Sequence, residues 1–142
     1  MGAEPGEMKD IDLRSFRLGG VSSFSEMVKV GLKKLALSAA MSPGEMDNIE
    51  KDIARIAEKE GVNIYRETKL IVTDLFPADV AKGKHVMLLY RGNTLREYMD
   101  LKKQKAELVA SGNYAGKARR EIAMKFGRLL SYPESYLQQK LK

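Results

Sequence analysis

Residues 70–90 read LIVTDLFPADVAKGKHVMLLY, and this stretch decides the predicted fold. It holds two short apolar runs, Leu70–Phe76 and His85–Tyr90, which are typical of buried strands and are separated by Pro77 and a glycine-containing turn. Only about eight residues join the two runs, whereas a parallel crossover usually needs a dozen or more, so we expect antiparallel pairing. Val62–Arg66 alternates in polarity and is a candidate third strand.

Helices are predicted on both sides of this small sheet. The best-defined one covers residues 43–60, where Ser42–Glu45 matches a capping box and Gly61 follows as a left-handed cap. Further capping boxes at Ser23–Glu26 and Thr94–Glu97 predict two more helix starts. The remaining helices are predicted over residues 24–41, 94–110 and 114–131, the last of these capped by Asn113, with a short helix after Pro133. This order predicts an α+β domain: a small antiparallel sheet of two or three strands, with two helices before it and two or three after it.

The helix predicted over residues 24–41 is apolar on two sides. Phe24 and Val28 belong to its main face, whereas Val30 and Leu37 lie on the opposite side. Such a helix is either central in the domain or covered by a partner subunit. Burial within the monomer is the simpler interpretation.

Length and composition set the class of protein. The 142 residues suffice for one domain, expected over residues 11–142 after a polar, mobile tail at residues 1–10. The absence of cysteine excludes disulfides, zinc fingers, iron–sulfur clusters and thiol nucleophiles. No apolar run approaches the roughly 18 residues that cross a bilayer, and the first residues lack a secretory pattern. We therefore expect a cytoplasmic protein with no membrane partner.

Charge is distributed unevenly along the chain. Residues 1–83 hold 12 basic and 14 acidic side chains, whereas residues 84–142 hold 13 basic and 5 acidic ones. The second part thus has a net charge of +8 in a chain whose overall charge is +6. Such a surface favours an anionic partner, with nucleic acid the obvious class; a solvated basic face is the alternative. The nucleic-acid-binding candidates are Lys117, Arg119, Arg120, Lys125 and Arg128.

The junction between the last predicted strand and the next helix is a candidate anion site. Gly92 lets an anion approach the free amides at the helix start, where the helix dipole favours negative charge. Arg91 and Arg96 flank this position and could clamp the anion. The alternative is that Gly92 and Asn93 form a turn and that Thr94 is a cap.

His85 is the only histidine of the chain. A histidine can transfer protons near neutral pH, and Asp74 and Asp79 are close to it in the sequence. However, the three residues lack the tight spacing of metal-ligand motifs, and no second group converges on them. We therefore predict no metal, no cofactor and no catalytic residue, and interpret His85 as a partly exposed residue at a strand start.

The segment Phe126–Tyr136 reads FGRLLSYPESY. It resembles a G-x-L-L-G-Y-P-E signature found in an uncharacterised, largely archaeal family of small domains. Ser131 stands in place of the second glycine, and Ser135 and Tyr136 stand where family members often have cysteine, so any metal binding or reactivity of those cysteines is lost here. The resemblance implies a fold, with Val86–Tyr90 as the preceding strand, and no assigned activity.

For function, we expect a non-enzymatic binding or interaction domain. On the helix at residues 94–110, a wide apolar arc that includes Lys102 and Lys105 is either a half-buried face or a dimer surface, which leaves a homo-oligomer open. Nucleic-acid binding by the basic carboxy-terminal helices is the alternative function. A third is an enzyme that acts on an anionic small molecule at residues 91–94, with His85 nearby.

Overall fold

The structure is a computed structural model that describes residues 12–142. The tail predicted at residues 1–10 lies outside the described residues. The helices are α1 (Leu13–Lys29), α2 (Pro43–Glu60), α3 (Thr94–Ala110), α4 (Gly116–Leu129) and α5 (Glu134–Lys140), and a short 3-10 turn spans Ala78–Val80. The strands are β1 (Leu35–Leu37), β2 (Asn63–Glu67) and β3 (Val86–Tyr90). The predicted α+β class is confirmed.

The sheet has three antiparallel strands in the order β1–β3–β2. In the central strand, Leu88 pairs with Leu37 of β1 on one side and with Tyr65 of β2 on the other. A strand covered on both faces has a continuous apolar run, and the side chains of Val86–Leu89 are all buried. The predicted antiparallel sheet and the strand near Val62–Arg66 are confirmed, but the predicted pairing of Leu70–Phe76 with β3 is wrong.

The strand predicted at Leu70–Phe76 is wrong. The amide of Ile71 donates to the hydroxyl of Tyr98 at 3.1 Å. The hydroxyl of Thr73 accepts from the amides two and three residues later, both at 3.1 Å, which folds the segment into a turn. Because side chains engage these backbone groups, the segment does not join the sheet, and β1 occupies the position beside β3 instead.

The helix predicted over residues 24–41 is wrong at both ends. It begins eleven residues earlier, because the carboxylate of Asp12 accepts from the amides of the second and third helical residues. It ends at Lys29, because Gly31 adopts a φ of +84° and the next two amides return to the carbonyl of Met27. Ser23 therefore lies inside α1 and caps nothing, and residues after the helix form β1.

The other helices agree more closely with the prediction. The capping box of α2 is present, and Gly61 ends the helix with a φ of +70°. α3 has the predicted bounds, but Thr94 is its first helical residue rather than its cap, so the predicted Thr94–Glu97 box is wrong. α4 begins at Gly116 after Ala115, and Asn113 is not its cap.

The helices cover both faces of the sheet. Successive side chains of β3 point to opposite faces, so Met87 and Leu89 pack with α1 and α2, whereas Val86 and Leu88 pack with α3 and α4. α5 packs against α4 through the buried Leu137. Among the described helices, none is long and apolar enough to span a membrane.

Candidate functional site

The predicted anion junction serves mainly to join β3 to α3 and α1. Gly92 adopts a φ of +60°, as the turn requires, and the buried hydroxyl of Thr94 donates to the carbonyl of Arg91 at 3.0 Å. The guanidinium of Arg91 donates to the carbonyl of Lys29, at the carboxyl end of α1, at 2.9 Å. Asn93 and Arg96 are exposed. The anion site remains a prediction, but two of its five residues are engaged within the protein.

The predicted nucleic-acid-binding side chains of α4 are mostly engaged as well. Arg119 forms a bidentate pair with Asp74 at 2.7–3.1 Å, and Arg128 pairs with Glu134 at 2.7 Å and with Glu121 at 3.2 Å. The remaining contacts are Arg120 to the carbonyl of Leu141 at 2.7 Å and Lys125 to the side-chain oxygen of Gln104 at 3.1 Å. Within residues 12–142, Lys117 is the one candidate of the five with no such partner.

His85 and Arg91 do not converge on one site. They lie just outside opposite ends of β3, six residues apart along an extended strand, which places them roughly 20 Å from each other. His85 accepts through Nδ1 from Nε of Arg66 at 3.0 Å. Arg66 also pairs with Asp47 at 2.8 Å and Glu50 at 2.9 Å, so His85 belongs to an ionic link between β3, β2 and α2. In the described part of the chain, no group of three acidic or histidine side chains could hold a metal ion.

A buried carboxylate escaped the sequence analysis. Glu67 is only 3% exposed, and its Oε2 accepts from the hydroxyl of Tyr98 at 2.7 Å and from Nζ of Lys102 at 2.8 Å. Its Oε1 accepts from the amide of Lys69 at 3.0 Å. Burial raises the pKa of Glu67, but the donors from Lys102, Tyr98 and Lys69 outweigh burial and hold this pKa below its usual value.

This network explains the two lysines in the apolar arc of α3. Lys102 reaches Glu67, and Lys105 donates to the carbonyl of Val72 at 2.6 Å. Tyr98 and Leu101 of the same arc are buried in the core. The arc is therefore largely covered by the segment after β2 and by α4, which favours the half-buried interpretation over the dimer surface.

Among the described residues, half of the ten large apolar side chains that are exposed lie on α1 or just after it. We define the α1 face as the positions that recur at alternating spacings of three and four on the solvent side of this helix. They are Leu13, Phe16, Gly20, Ser23, Met27 and Val30. The large side chains of this set, together with Leu32 just after the helix, are between 38% and 71% exposed. The opposite side of α1 supplies the buried Val21, Ser25 and Val28.

The α1 face holds no charged residue, because the nearby cations turn toward α2. Arg14 pairs with Asp52, and Arg17 pairs with Glu45 at 2.9 Å. The helix predicted at residues 24–41 is apolar on two sides, but the true helix starts eleven residues earlier. Asp12, a helix-capping residue followed by the regular apolar spacing, is the signal that finds the true start.

A cavity lies between Phe24 of α1, the residues around β1 and the corner between α4 and α5. It has a volume of about 220 Å³, and most of its lining side chains are apolar, including Phe24, Leu37, Phe76 and Tyr132. Lys33 is the one charged residue of the lining. The sequence analysis did not find this cavity, because its walls come from five separate parts of the chain.

The family-like segment has clear structural roles. Gly127 faces Leu137 so closely that an added Cβ would lie 2.3 Å from its Cδ2. Ser131 adopts a φ of +64°, the left-handed conformation that a glycine adopts most easily. Both positions thus have a physical reason to be glycine in the signature. The resemblance itself remains a prediction.

Comparisons with known proteins add no relative: no family model, curated protein or solved structure matches the chain.

Proposed function

We propose that this chain is a non-enzymatic interaction domain that pairs with a second copy of itself through the α1 face. The observation that carries the proposal is that large, exposed apolar side chains lie at both ends of one uncharged face of α1, with the small residues Gly20 and Ser23 between them. Exposed apolar patches of this kind mark interaction sites in monomeric folds. Most of the polar side chains that suggested chemistry, such as Arg91, Arg119 and Arg128, are instead engaged in contacts within the protein.

The order of side chains along the α1 face is self-complementary. When two copies of α1 pack antiparallel about a two-fold axis, Leu13 faces the partner's Val30, and Phe16 faces the partner's Met27. Gly20 then faces the partner's Ser23 beside the axis, where small residues let the backbones approach. An interface between identical surfaces requires this reciprocity. The alternating spacing of three and four is also the spacing that keeps two helices in contact along their length.

The size of the surface fits a reversible dimer. Covering the exposed parts of Leu13, Phe16, Met27, Val30 and Leu32 removes on the order of 500 Å² per protomer, if each side chain has an area of about 150–200 Å². The pair then buries on the order of 1,000 Å², near the lower bound for a specific interface. We therefore expect a dissociation constant in about the micromolar range.

Self-association is tested by sedimentation velocity across a range of protein concentrations. We expect a monomer–dimer equilibrium that Phe16→Lys abolishes, because a lysine in the stripe loses its hydration on dimerisation. Val109→Lys is the matched control, since Val109 is also more than half exposed but lies on α3. A wild-type chain that stays monomeric at the highest concentrations overturns the proposal, as does equal weakening by the two variants.

The antiparallel geometry is tested by disulfide crosslinking, for which the absence of native cysteine is convenient. Phe16→Cys and Met27→Cys are prepared separately, mixed and oxidised. Antiparallel pairing predicts mainly crosslinks between the two variants. Crosslinks of Phe16→Cys with itself would indicate parallel pairing and contradict the proposed arrangement.

A further inference from the structure

The cavity beside β1 is large enough for a small ring or a short alkyl chain. An enclosed apolar cavity of about 150 Å³ is known to hold benzene, and this one, which is partly open to solvent, measures about 220 Å³. Its walls combine the rings of Phe24, Phe76 and Tyr132 with aliphatic side chains such as Leu37 and Val86. A ligand body that fits here is apolar.

Lys33 gives the cavity a single positive charge. Its Nζ donates to the carbonyl of Leu130 at 2.9 Å and lies 5.8 Å from the ring centre of Phe24 and 5.7 Å from that of Tyr132. The two rings favour the charged ammonium. Lys33 is half-buried, and this burial lowers the pKa of its ammonium.

The ammonium of Lys33 has unused hydrogen-bonding capacity. An ammonium carries three donors, and the Leu130 carbonyl takes one of them. No carboxylate among residues 12–142 lies within 4.0 Å of its Nζ. Two other side chains of the lining carry a hydroxyl, Ser38 and Tyr132. The hydroxyl of Ser38 is already satisfied, since it accepts from the amide of Met87 at 2.8 Å and donates to the carbonyl of Ala39 at 3.0 Å.

We infer that this cavity binds a small monocarboxylate with an apolar body, the carboxylate on Lys33 and the body among the aromatic rings. A carboxylate accepts the free donors of the ammonium in charge-assisted hydrogen bonds. A single cation neutralises a single negative charge, so a monocarboxylate fits better than a phosphate dianion. The volume suits a body of about six carbons, as in hexanoate or benzoate. This site shares no residue with the α1 face, and the inference does not depend on the proposed dimer.

The test is a titration of the ¹⁵N-labelled chain with hexanoate, followed by NMR. We expect saturable shifts of amides that line the cavity, and at least tenfold weaker binding of methyl hexanoate, which keeps the apolar body and loses the charge. Shifts that do not saturate, or equal affinities for acid and ester, overturn the inference.

Lys33→Met tests whether the ammonium of Lys33 itself binds the carboxylate, rather than the overall positive charge of the chain. We expect this variant to weaken hexanoate binding at least tenfold and to leave the weak binding of the ester unchanged, because the side chains have similar length. It removes a half-buried charge that has no carboxylate partner, so we expect the variant to fold, and its ¹⁵N spectrum checks this. Lys34→Met is the matched control, because Lys34 is exposed and pairs with Glu97 at 3.1 Å. Equal loss of hexanoate binding in both variants contradicts the inference.

Discussion

Ser131 ends α4 in a conformation that ordinary side chains avoid. Among the described residues it is the only non-glycine residue with a positive φ, at +64°. Its hydroxyl accepts from the amide of Lys34 at 3.0 Å, and this hydrogen bond stabilises the fold. The same residue therefore combines a strained backbone with a stabilising side chain.

Substitutions of Ser131 separate these two effects. Ser131→Ala keeps the strain and loses the acceptor, so we expect a loss of about 1 kcal/mol in the free energy of unfolding. Ser131→Gly loses the same acceptor but relieves a strain of about 1–2 kcal/mol, so we expect it to equal or exceed the wild type in stability. Urea denaturation measures both. Equal stabilities of the alanine and glycine variants would show that the strain is negligible.

Glu67 predicts a specific dependence of stability on pH. Its pKa lies below the ordinary value of 4.5, so the folded chain binds fewer protons at this group than the unfolded chain. The stabilisation is therefore complete above pH 4.5 and is lost as the pH falls through the lower, folded-state pKa.

Glu67→Gln removes the charge but keeps the shape. We expect it to cost about 2–3 kcal/mol near neutral pH, because Lys102 loses its buried partner. The difference from the wild type should shrink as the pH is lowered from about 6 to about 3, since the wild-type carboxylate then becomes protonated. Urea midpoints across this range measure the effect, with the exposed Glu107→Gln as control. A difference that does not change with pH would contradict the assignment.

At the scale of elements, the crossing of α4 and α5 depends on a missing side chain. A Cβ on Gly127 would lie 2.3 Å and 3.0 Å from the two methyl carbons of Leu137 and 3.1 Å from a methyl carbon of Leu75. The first distance is too short for any real contact. Leu137 must move if this glycine is replaced, although its methyl groups are the flexible end of the side chain.

We expect Gly127→Ala to destabilise the chain by about 1–2 kcal/mol, since overpacking exceeds the gain in helix propensity. In a Leu137→Ala background the clash is gone, so the same substitution should become neutral or stabilising. A double-mutant cycle followed by chemical denaturation measures this coupling. An additive cycle would show that the crossing tolerates a methyl group.

Local signals explain which elements were predictable. α2 was predicted with its bounds because its cap, its apolar stripe and Gly61 all lie within the element. The end of α1 and the start of β1 could not be predicted, because the apolar run Leu35–Leu37 fits a helix and a strand equally well. Only its pairing with β3 makes it a strand. The segment Leu70–Phe76 was mistaken for a strand because the hydroxyls of Tyr98 and Thr73, rather than a strand, engage its backbone.

The candidate sites were less predictable than the fold. Part of the α1 face was predictable, because the helix predicted at residues 24–41 is apolar on two sides. The predicted start of that helix was wrong, so the first residues of the face were not included. The cavity at Lys33 and the network at Glu67 join residues from distant parts of the chain, so no local pattern reveals them. Charge counts likewise predicted a basic second half without indicating which cations have partners.

At the scale of the whole molecule, nucleic-acid binding remains a prediction from charge, and the structure changes how it is tested. Arg119 is bound to Asp74 and Arg128 to two glutamates, so phosphates would have to displace these pairs. A net charge of +6 nevertheless attracts any polyanion diffusely. A focused site and a diffuse field differ in how individual lysines affect the dependence of binding on salt.

We expect nucleic acid to respond to the diffuse positive field of the chain rather than to a focused site on α4. Lys117→Ala on α4 and Lys51→Ala on α2 each remove one exposed charge, and a diffuse field responds to both equally. A focused site on α4 would respond to Lys117→Ala alone, with the slope of log K against log salt reduced by about 1 and the Lys51 variant unchanged. Fluorescence anisotropy with a labelled DNA duplex at several salt concentrations distinguishes the two. A selective effect of Lys117→Ala would instead support the predicted nucleic-acid interface on the basic helices. It would show a phosphate contact at Lys117, the one candidate cation that the fold leaves free within residues 12–142.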